Sequence, residues 1–417
     1  MTTFTVAGGR PLRGRITVPG DKSISHRALI LAAMAEGTSV VRGLSDGDDV
    51  ARTRAAVEAM GATIDGEKIT GGRSRLQEPD DVLDMGNSGT GIRLLAGLCA
   101  GFPWMTVLTG DASIRRRPMR RVLDPLQGMG ARFHARQGQL APLVAVGSDL
   151  HGIDVETEVA SAQVKSAILL AGLSADGETR VRQRVATRPH TEELLALAGA
   201  DVQVADAGLD VRLRPTPLSP FELDVPGDPS QAAFWLVAAC LVPGSDVVVD
   251  EVYLGPTRSA FVDVLVRMGA EVEQTGPAQV RARYSPDLHS TDVRGEEISG
   301  LIDEIPVLAV AAARAEGATV FRDAGELRVK ESDRIATTTA GLTAMGARCQ
   351  VTEDGFVVTG PNPLHGAPTA SHGDHRIAMA LAVAGLAAEG TTEIDGWEAV
   401  ATSYPGFEHD LERLCAS

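Results

Sequence analysis

One short phrase recurs along this chain at a nearly constant spacing, and it narrows the possible folds more than any other feature. An amphipathic segment ends in Met-Gly-Ala or a close variant, and a β-like run follows. The phrase stands at Met60-Gly-Ala62, Met129-Gly-Ala131, Ala198-Gly-Ala200, Met268-Gly-Ala270 and Met345-Gly-Ala347, with a degenerate copy at Leu414-Cys-Ala416. Successive copies begin 69, 69, 70, 77 and 69 residues apart. Glycine suits the left-handed residue that closes a helix. Ala-x-Val or Ala-x-Ile then opens a strand, as in Ala270-Glu-Val272.

A second phrase interleaves with the first: an apolar Ala/Leu-rich helix, a glycine, then a β-branched strand. It is plain at Leu29–Val41 around Gly37, Leu308–Phe321 around Gly317 and Leu381–Ile394 around Gly390, with matching turns at Gly101, Gly177 and Gly244. Six units of about 70 residues result, each reading strand, buried helix, strand, amphipathic helix, strand, strand. The period is too long for a helical solenoid. Helices this apolar on every face need enclosure by sheets. The expectation is an α/β (α+β) fold of two domains with three βαβαββ repeats each. Pro/Gly breaks at Leu223-Asp-Val-Pro-Gly-Asp228 and Pro19-Gly-Asp21 share a Pro-Gly-Asp signature and mark two chain crossings. The predicted domains are therefore 1–19 plus 228–417 and 20–227, joined by a double-crossover hinge.

Composition limits the partners. Aromatics make up 4% of the 417 residues, too few for base-stacking platforms, and the net charge of −16 repels polyanions and acidic membrane surfaces. Neither nucleic acid nor membrane is expected as a partner. The longest apolar stretch, Ile377 to Ala388, is too short to span a bilayer. The N-terminal residues show no charged-then-apolar leader pattern. Cys99, Cys240, Cys349 and Cys415 are scattered without a CxxC pair, which fits a reducing compartment. A cytoplasmic monomer is expected.

Against that acidic background the clustered cations fall at repeat-related places. Segments opening the apolar helices are Lys22-Ser23 with Arg27, Asn87-Ser-Gly89, Ser161-Ala-Gln163 with Lys165, Asp228-Pro-Ser230, Asp303-Glu304 and Asp374-His-Arg376. The amphipathic helices follow Arg115-Arg-Arg117-Pro118, Thr187-Arg188-Pro-His190, Thr257-Arg258 and Arg328-Val-Lys330-Glu331-Ser-Asp-Arg334. Free N–H groups and the positive dipole end make helix starts anion sites. In the first segment Ser23 or Ser25 is the expected N-cap. Taken singly, each also reads as a capped surface helix, a Gly-rich turn or a solvated charge run. Their coincidence at related positions favours one strongly positive site. The chain has no Walker sequence and no His-Glu-x-x-His, and no metal or other cofactor is expected. A substrate with several anionic groups is implied, with Lys, Asp and Glu moving protons.

Six ordered motifs carry a family resemblance over essentially the full length. Pro19-Gly-Asp-Lys-Ser-Ile-Ser-His-Arg27, Gly86-Asn-Ser-Gly-Thr90, Leu108-Thr-Gly-Asp111 with Arg117-Pro118, Ser161-Ala-Gln163, Arg328-Val-Lys-Glu-Ser-Asp-Arg334 and Asp374-His-Arg376 resemble those of the 3-phosphoshikimate 1-carboxyvinyltransferases, or 5-enolpyruvylshikimate-3-phosphate synthases. The resemblance implies transfer of the enolpyruvyl group of phosphoenolpyruvate to the 5-hydroxyl of shikimate 3-phosphate, on the pathway to chorismate and the aromatic amino acids. It implies that Lys22, Ser23 and Arg27 hold shikimate 3-phosphate, with Ser161, Ala162 (through its backbone), Gln163 and Arg188 around its phosphate. Asp303 and Lys330 would flank the 5-hydroxyl, Asp303 as proton acceptor, and Glu331 would protonate the methylene carbon. Lys22, Asn87, Gly89, Arg117, Gln163, Arg334 and Arg376 would hold phosphoenolpyruvate. Lys22, Asp303, Lys330 and Glu331 form the implied catalytic set.

Three departures qualify the resemblance. Ala162 replaces the second Ser of Ser-Ser-Gln, His190 stands where some members have Tyr, and Ala401-Thr-Ser-Tyr-Pro405 lacks a Lys that some members place there. These are similar to the family's glyphosate-tolerant branch, whereas Gly89 is the small residue of sensitive members; sensitivity is the expectation. One rival is the sister transferase acting on UDP-N-acetylglucosamine, which usually carries a reactive Cys in the region of Asp111–Arg117, where this chain has none. Cys99 falls in an apolar helix and reads as inert core. The other rival is a non-catalytic anion-binding relative, which would not need Asp303, Lys330 and Glu331.

Overall fold

The computed structural model describes residues 2–416, and the chain divides into two compact units. Gly20–Val225 forms one unit; residues up to Pro19, together with those from Pro226 onward, form the other. The backbone therefore passes between units twice, at Pro19/Gly20 and at Val225/Pro226.

In the Gly20–Val225 unit three four-stranded sheets share one plan. In each, a first strand runs parallel to the strand that follows the apolar helix, and the last hairpin adds two antiparallel strands; in the second and third repeats that first strand is the one just before the helix. Leu83–Asp84 is parallel to Thr106–Thr109, which pairs with Leu140–Val146 and then Arg132–Arg136. Asp154–Glu156, Thr179–Arg182, Asp210–Arg214 and Asp201–Ala205 repeat this order. Parallel neighbours need a crossover connection, and the apolar helix supplies it.

The first repeat departs from contiguity. Its sheet begins with Glu222–Asp224, parallel to Gly37–Arg42 with Glu222 opposite Val40, and continues through Lys68–Gly71 to Thr63–Asp65. Arg13–Thr17, which precedes the first apolar helix in sequence, instead lies parallel to Asp246–Asp250 in the other unit, Arg13 opposite Asp246. The two strands nearest the crossings have exchanged sheets, so the six repeats are not six contiguous segments. In the second unit the Asp246–Asp250 sheet continues with Gln279–Arg283 and Glu271–Gly276. A further sheet runs Asp292–Val293, Gly317–Phe321, Phe356–Gly360, Arg348–Val351. The last sheet is Pro368–Ala370, Thr391–Asp395 and Thr3–Ala7, so an N-terminal strand completes the sixth repeat.

The apolar helices lie inside the sheets of their units. All 11 residues of Gly89–Cys99, all 13 of Pro229–Leu241 and all 12 of His375–Leu386 are buried. Close approach replaces bulk at one crossing: a Cβ on Gly97 would stand 2.2 Å from the Ala167 carbonyl oxygen, so the helix backbones touch there. In the repeated Met-Gly-Ala phrase the glycines adopt positive φ, +106° at Gly61, +97° at Gly130 and +82° at Gly269, as a helix-ending residue requires. Trp235 is fully buried, stacks on Phe407 with centroids 4.5 Å apart, and donates from Nε1 to the Tyr404 hydroxyl. Tyr404 in turn donates to Asp410 Oδ2 at 2.8 Å, so this aromatic pin satisfies its own polar atoms.

Candidate active site at the helix starts

In the Gly20–Val225 unit the Lys22–Met34 helix is capped by Asp21, whose Oδ1 accepts from the Ile24 N–H at 2.8 Å. Neither Ser23 nor Ser25 is the N-cap. Asp21 precedes both, and the Ser25 hydroxyl is taken by the Ser45 N–H at 3.0 Å. The carboxylate cap leaves Lys22 at the first helical position, where its Nζ lies 2.9 Å from Asp49 Oδ2. Arg27 is buried and bonded on three sides: Nε to Thr191 Oγ1 (2.7 Å), Nη1 to the Ser23 carbonyl (2.8 Å) and Nη2 to Ser166 Oγ (2.8 Å). Burial lowers its pKa to about 10, with Glu192 and Asp21 opposing.

The second and third helix starts meet around another buried arginine. Ser88 and Ser161 cap the Gly89–Cys99 and Ala162–Gly172 helices through their hydroxyls. Arg93 donates from Nη1 to the Gly89 carbonyl and to Gln163 Oε1, both at 3.0 Å, while Gln163 Nε2 donates to Thr90 at 3.0 Å. Asn87 is fixed by Asp111 at 2.8 Å. Gly89 faces Arg117: an added Cβ would stand 2.6 to 2.8 Å from three atoms of its guanidinium. Arg188 is half-buried in the turn before the His190–Leu197 helix, close enough for its charge to depress Arg27. Arg93 escaped the sequence reading; its signal was an arginine inside the apolar run Ile92-Arg-Leu-Leu95.

In the other unit Arg334 is the hub. At 2% exposure it donates from Nε to Asp374 (2.9 Å), from Nη1 to Asp303 (3.0 Å) and from Nη2 to Glu331 (2.6 Å). Burial opposes its charge, but the carboxylates of Asp374, Glu331 and Asp303 outweigh that and raise its pKa. Asp374 also caps the His375–Leu386 helix through the Arg376 N–H and accepts from Ser332 Oγ at 3.1 Å. Arg376 is buried, and its Nε and Nη1 make no hydrogen bond among the described residues. Lys330 sits half-buried in the turn before the Arg334–Ala344 helix. Desolvation lowers its pKa to about 8; Asp303 opposes this and Arg334 adds to it. A second buried web, made of residues that the sequence places at helix starts, joins Arg258 to Asp228 (2.7 Å) and to Glu304 (3.4 Å), with Ser230 bonded to both Arg258 and Glu304.

The structure thus gathers Lys22, Ser23, Arg27, Asn87, Gly89, Arg117, Ser161, Ala162, Gln163 and Arg188 at helix starts and adjoining turns of one unit. It gathers Asp303, Lys330 and Glu331 around the Arg334 guanidinium in the other, with Arg376 two residues beyond Asp374. Cations held beside carboxylates of this kind suit a substrate carrying several negative charges.

The enolpyruvyl transferase NikO from Streptomyces tendae shares the fold, aligning over 98% of this chain and 96% of its own with a TM-score of 0.79 at 21% identity. EPSP synthase from Acinetobacter baumannii aligns over 99% and 98% with a TM-score of 0.85 at 40% identity. The family model for EPSP synthase (3-phosphoshikimate 1-carboxyvinyltransferase) matches residues 6–411. The 3-phosphoshikimate 1-carboxyvinyltransferase of Gloeobacter violaceus is 50% identical over 427 residues, covering 99% of this chain and 98% of the relative. That of Pelotomaculum thermopropionicum is 49% identical over 423 residues, covering 98% of each. The chain belongs to the EPSP synthase family.

Proposed function

We propose that this chain is a transferase that moves the enolpyruvyl group of phosphoenolpyruvate to the 5-hydroxyl of shikimate 3-phosphate, releasing phosphate, in the shikimate pathway. Family membership supports the reaction, and the web around Arg334 supports the assignment of roles. One guanidinium holds both Asp303 and Glu331, with Lys330 beside them, whereas a simple anion binder needs only the cations.

The steps follow from charge. Lys22, Asn87, Gly89, Arg117, Gln163, Arg334 and Arg376 hold phosphoenolpyruvate. Lys22, Ser23, Arg27, Ser161, the Ala162 backbone, Gln163 and Arg188 hold the acceptor, with Asp303 and Lys330 at its 5-hydroxyl. Arg334 neutralises Glu331 in the free protein; when a substrate anion takes over that guanidinium, Glu331 loses its counter-charge and gains a negative neighbour. Both changes raise its pKa and let it carry a proton. Glu331 then protonates the methylene carbon, the 5-hydroxyl oxygen bonds to the cationic carbon, and Asp303 takes the hydroxyl proton. The Glu331 carboxylate then takes back one methyl proton as phosphate leaves the tetrahedral intermediate, which restores the double bond and the protonated Glu331.

The role assignments are tested by coupled phosphate release with wild type, Asp303→Ala and Glu331→Gln. Severe loss is expected in both variants with unchanged circular dichroism, and wild-type release must require shikimate 3-phosphate, not UDP-N-acetylglucosamine. Near-normal turnover in either variant removes that residue from its role. The reading also takes the enzyme as a cytoplasmic monomer; a sedimentation coefficient matching a dimer would overturn that part.

A further inference from the structure

The Gly20–Val225 unit holds a buried ion pair that the mechanism does not use. Lys165, on the Ala162–Gly172 helix, lies with its Nζ 2.5 Å from Glu192 Oε1, and the side chains are 0% and 2% exposed. The same ammonium donates to the Thr187 carbonyl at 3.4 Å. The next residue on one helix and the preceding residue on the other form a parallel contact: the hydroxyls of Ser166 and Thr191 are 2.6 Å apart, and Arg27 donates to both. The start of the His190–Leu197 helix and the turn before it are thereby locked to the Ala162–Gly172 helix.

Stability alone is a poor reason for such a pair. Two charges this deep lose more hydration than their attraction returns unless the geometry is excellent, and an apolar pair of equal volume often holds as well or better. What the pair does fix is position. Arg188 lies between Thr187 and Glu192, both gripped by Lys165, and Ser161 and Gln163 lie within four residues before Lys165. Burial lowers the pKa of Lys165, with Glu192 opposing, so the pair stands as a dependent unit.

We propose that the Lys165–Glu192 pair positions Arg188 against Ser161 and Gln163, and so sets affinity for the phosphate of the acceptor without entering the transfer step. The inference rests on the reading above that Ser161, Gln163 and Arg188 surround that phosphate. Lys165 and Glu192 are positioning residues; neither is assigned a contact with substrate.

The test is steady-state kinetics on Glu192→Gln, Lys165→Met, the double variant Lys165→Met/Glu192→Leu, and Arg188→Ala, each with a thermal melt. The expected result for the single variants is a KM for shikimate 3-phosphate raised at least about tenfold, with the KM for phosphoenolpyruvate and kcat changed less than about threefold, the mark of lost ground-state binding. The double variant recovers the melting midpoint because no charge is left unpaired. Its KM stays high because the grip on the Thr187 carbonyl is gone. If the single variants do not fold, the double variant decides alone. An unchanged KM in any folded pair variant, or a double variant that regains KM along with its midpoint, overturns the positioning role. An unchanged KM in Arg188→Ala removes Arg188 from the phosphate site, and overturns that assignment and the inference together.

Discussion

Lys330 gives the sharpest handle on the site, because its charge is already expensive in the free protein. An ordinary lysine titrates near 10.5, and desolvation brings this one to about 8 despite Asp303 beside it. That gap corresponds to about 3 kcal/mol by which the fold disfavours the ammonium over the amine. On the reading proposed above, Lys330 stands at the 5-hydroxyl of an acceptor that meets a second anionic substrate, so the reaction is expected to need the ammonium. A plot of kcat/KM against pH, which reports the free enzyme, should therefore turn down near pH 8 and fall tenfold per unit above it. A bound dianion favours the charged amine, so the limb in kcat should lie at higher pH. Lys330→Arg keeps its charge throughout; whatever its absolute rate, its kcat/KM should show no downturn near pH 8. A variant that turns down at the same pH as wild type would assign the limb to another group and refute the argument.

The same depressed pKa makes a stability prediction of definite sign. Between about 8 and 10.5 the unfolded chain binds the Lys330 proton and the folded chain has released it. Stability from this group therefore rises with pH through that window, and the penalty is fully present below about 8. Lys330→Met should melt several degrees above wild type at pH 7, roughly 2–4 °C for each kcal/mol relieved in a domain of this size. The difference should vanish towards pH 10.5, and activity should be lost throughout. A variant less stable than wild type at pH 7 would show that Lys330 helps hold the fold through its carboxylate neighbours.

Three further outcomes are expected. Gly89→Ala places a methyl 2.6 to 2.8 Å from the Arg117 guanidinium, which must move. Losing one charge-assisted contact of about 1.5–3 kcal/mol should raise the KM for phosphoenolpyruvate about ten- to a hundredfold and leave that for shikimate 3-phosphate unchanged; an unaltered phosphoenolpyruvate KM would take Arg117 out of the site. Tyr404→Phe strips the hydroxyl that bridges Trp235 Nε1 and Asp410, and should cost about 1–3 kcal/mol in a urea titration without changing turnover. Native-like stability would mean that water replaces the hydroxyl. With Gly89 unsubstituted, glyphosate should inhibit; full turnover at millimolar inhibitor would refute that.

What the sequence shows is what repeats. The Met-Gly-Ala endings locate the amphipathic helices because a left-handed residue must close each one, and the apolar runs locate the buried helices because nothing polar interrupts them. The exchange of Arg13–Thr17 for Glu222–Asp224 leaves no such trace, since each strand has the local pattern of any other and only the pairing partner differs. The first N-cap is misread for a related reason: Ser23 and Ser25 are good caps, but Asp21 comes first and the Ser25 hydroxyl has another use at Ser45. The buried charges are less hidden than they look. Lys22 bonds to Asp49, His26 to Thr53 and Lys165 to Glu192, each across 27 residues. That separation is the repeat's own distance from the start of a buried helix to the amphipathic helix after it. A lysine or histidine inside an apolar run, with a carboxylate or hydroxyl 27 positions on, is therefore a signal that the period makes available, because the same crossover brings those two positions together in more than one repeat.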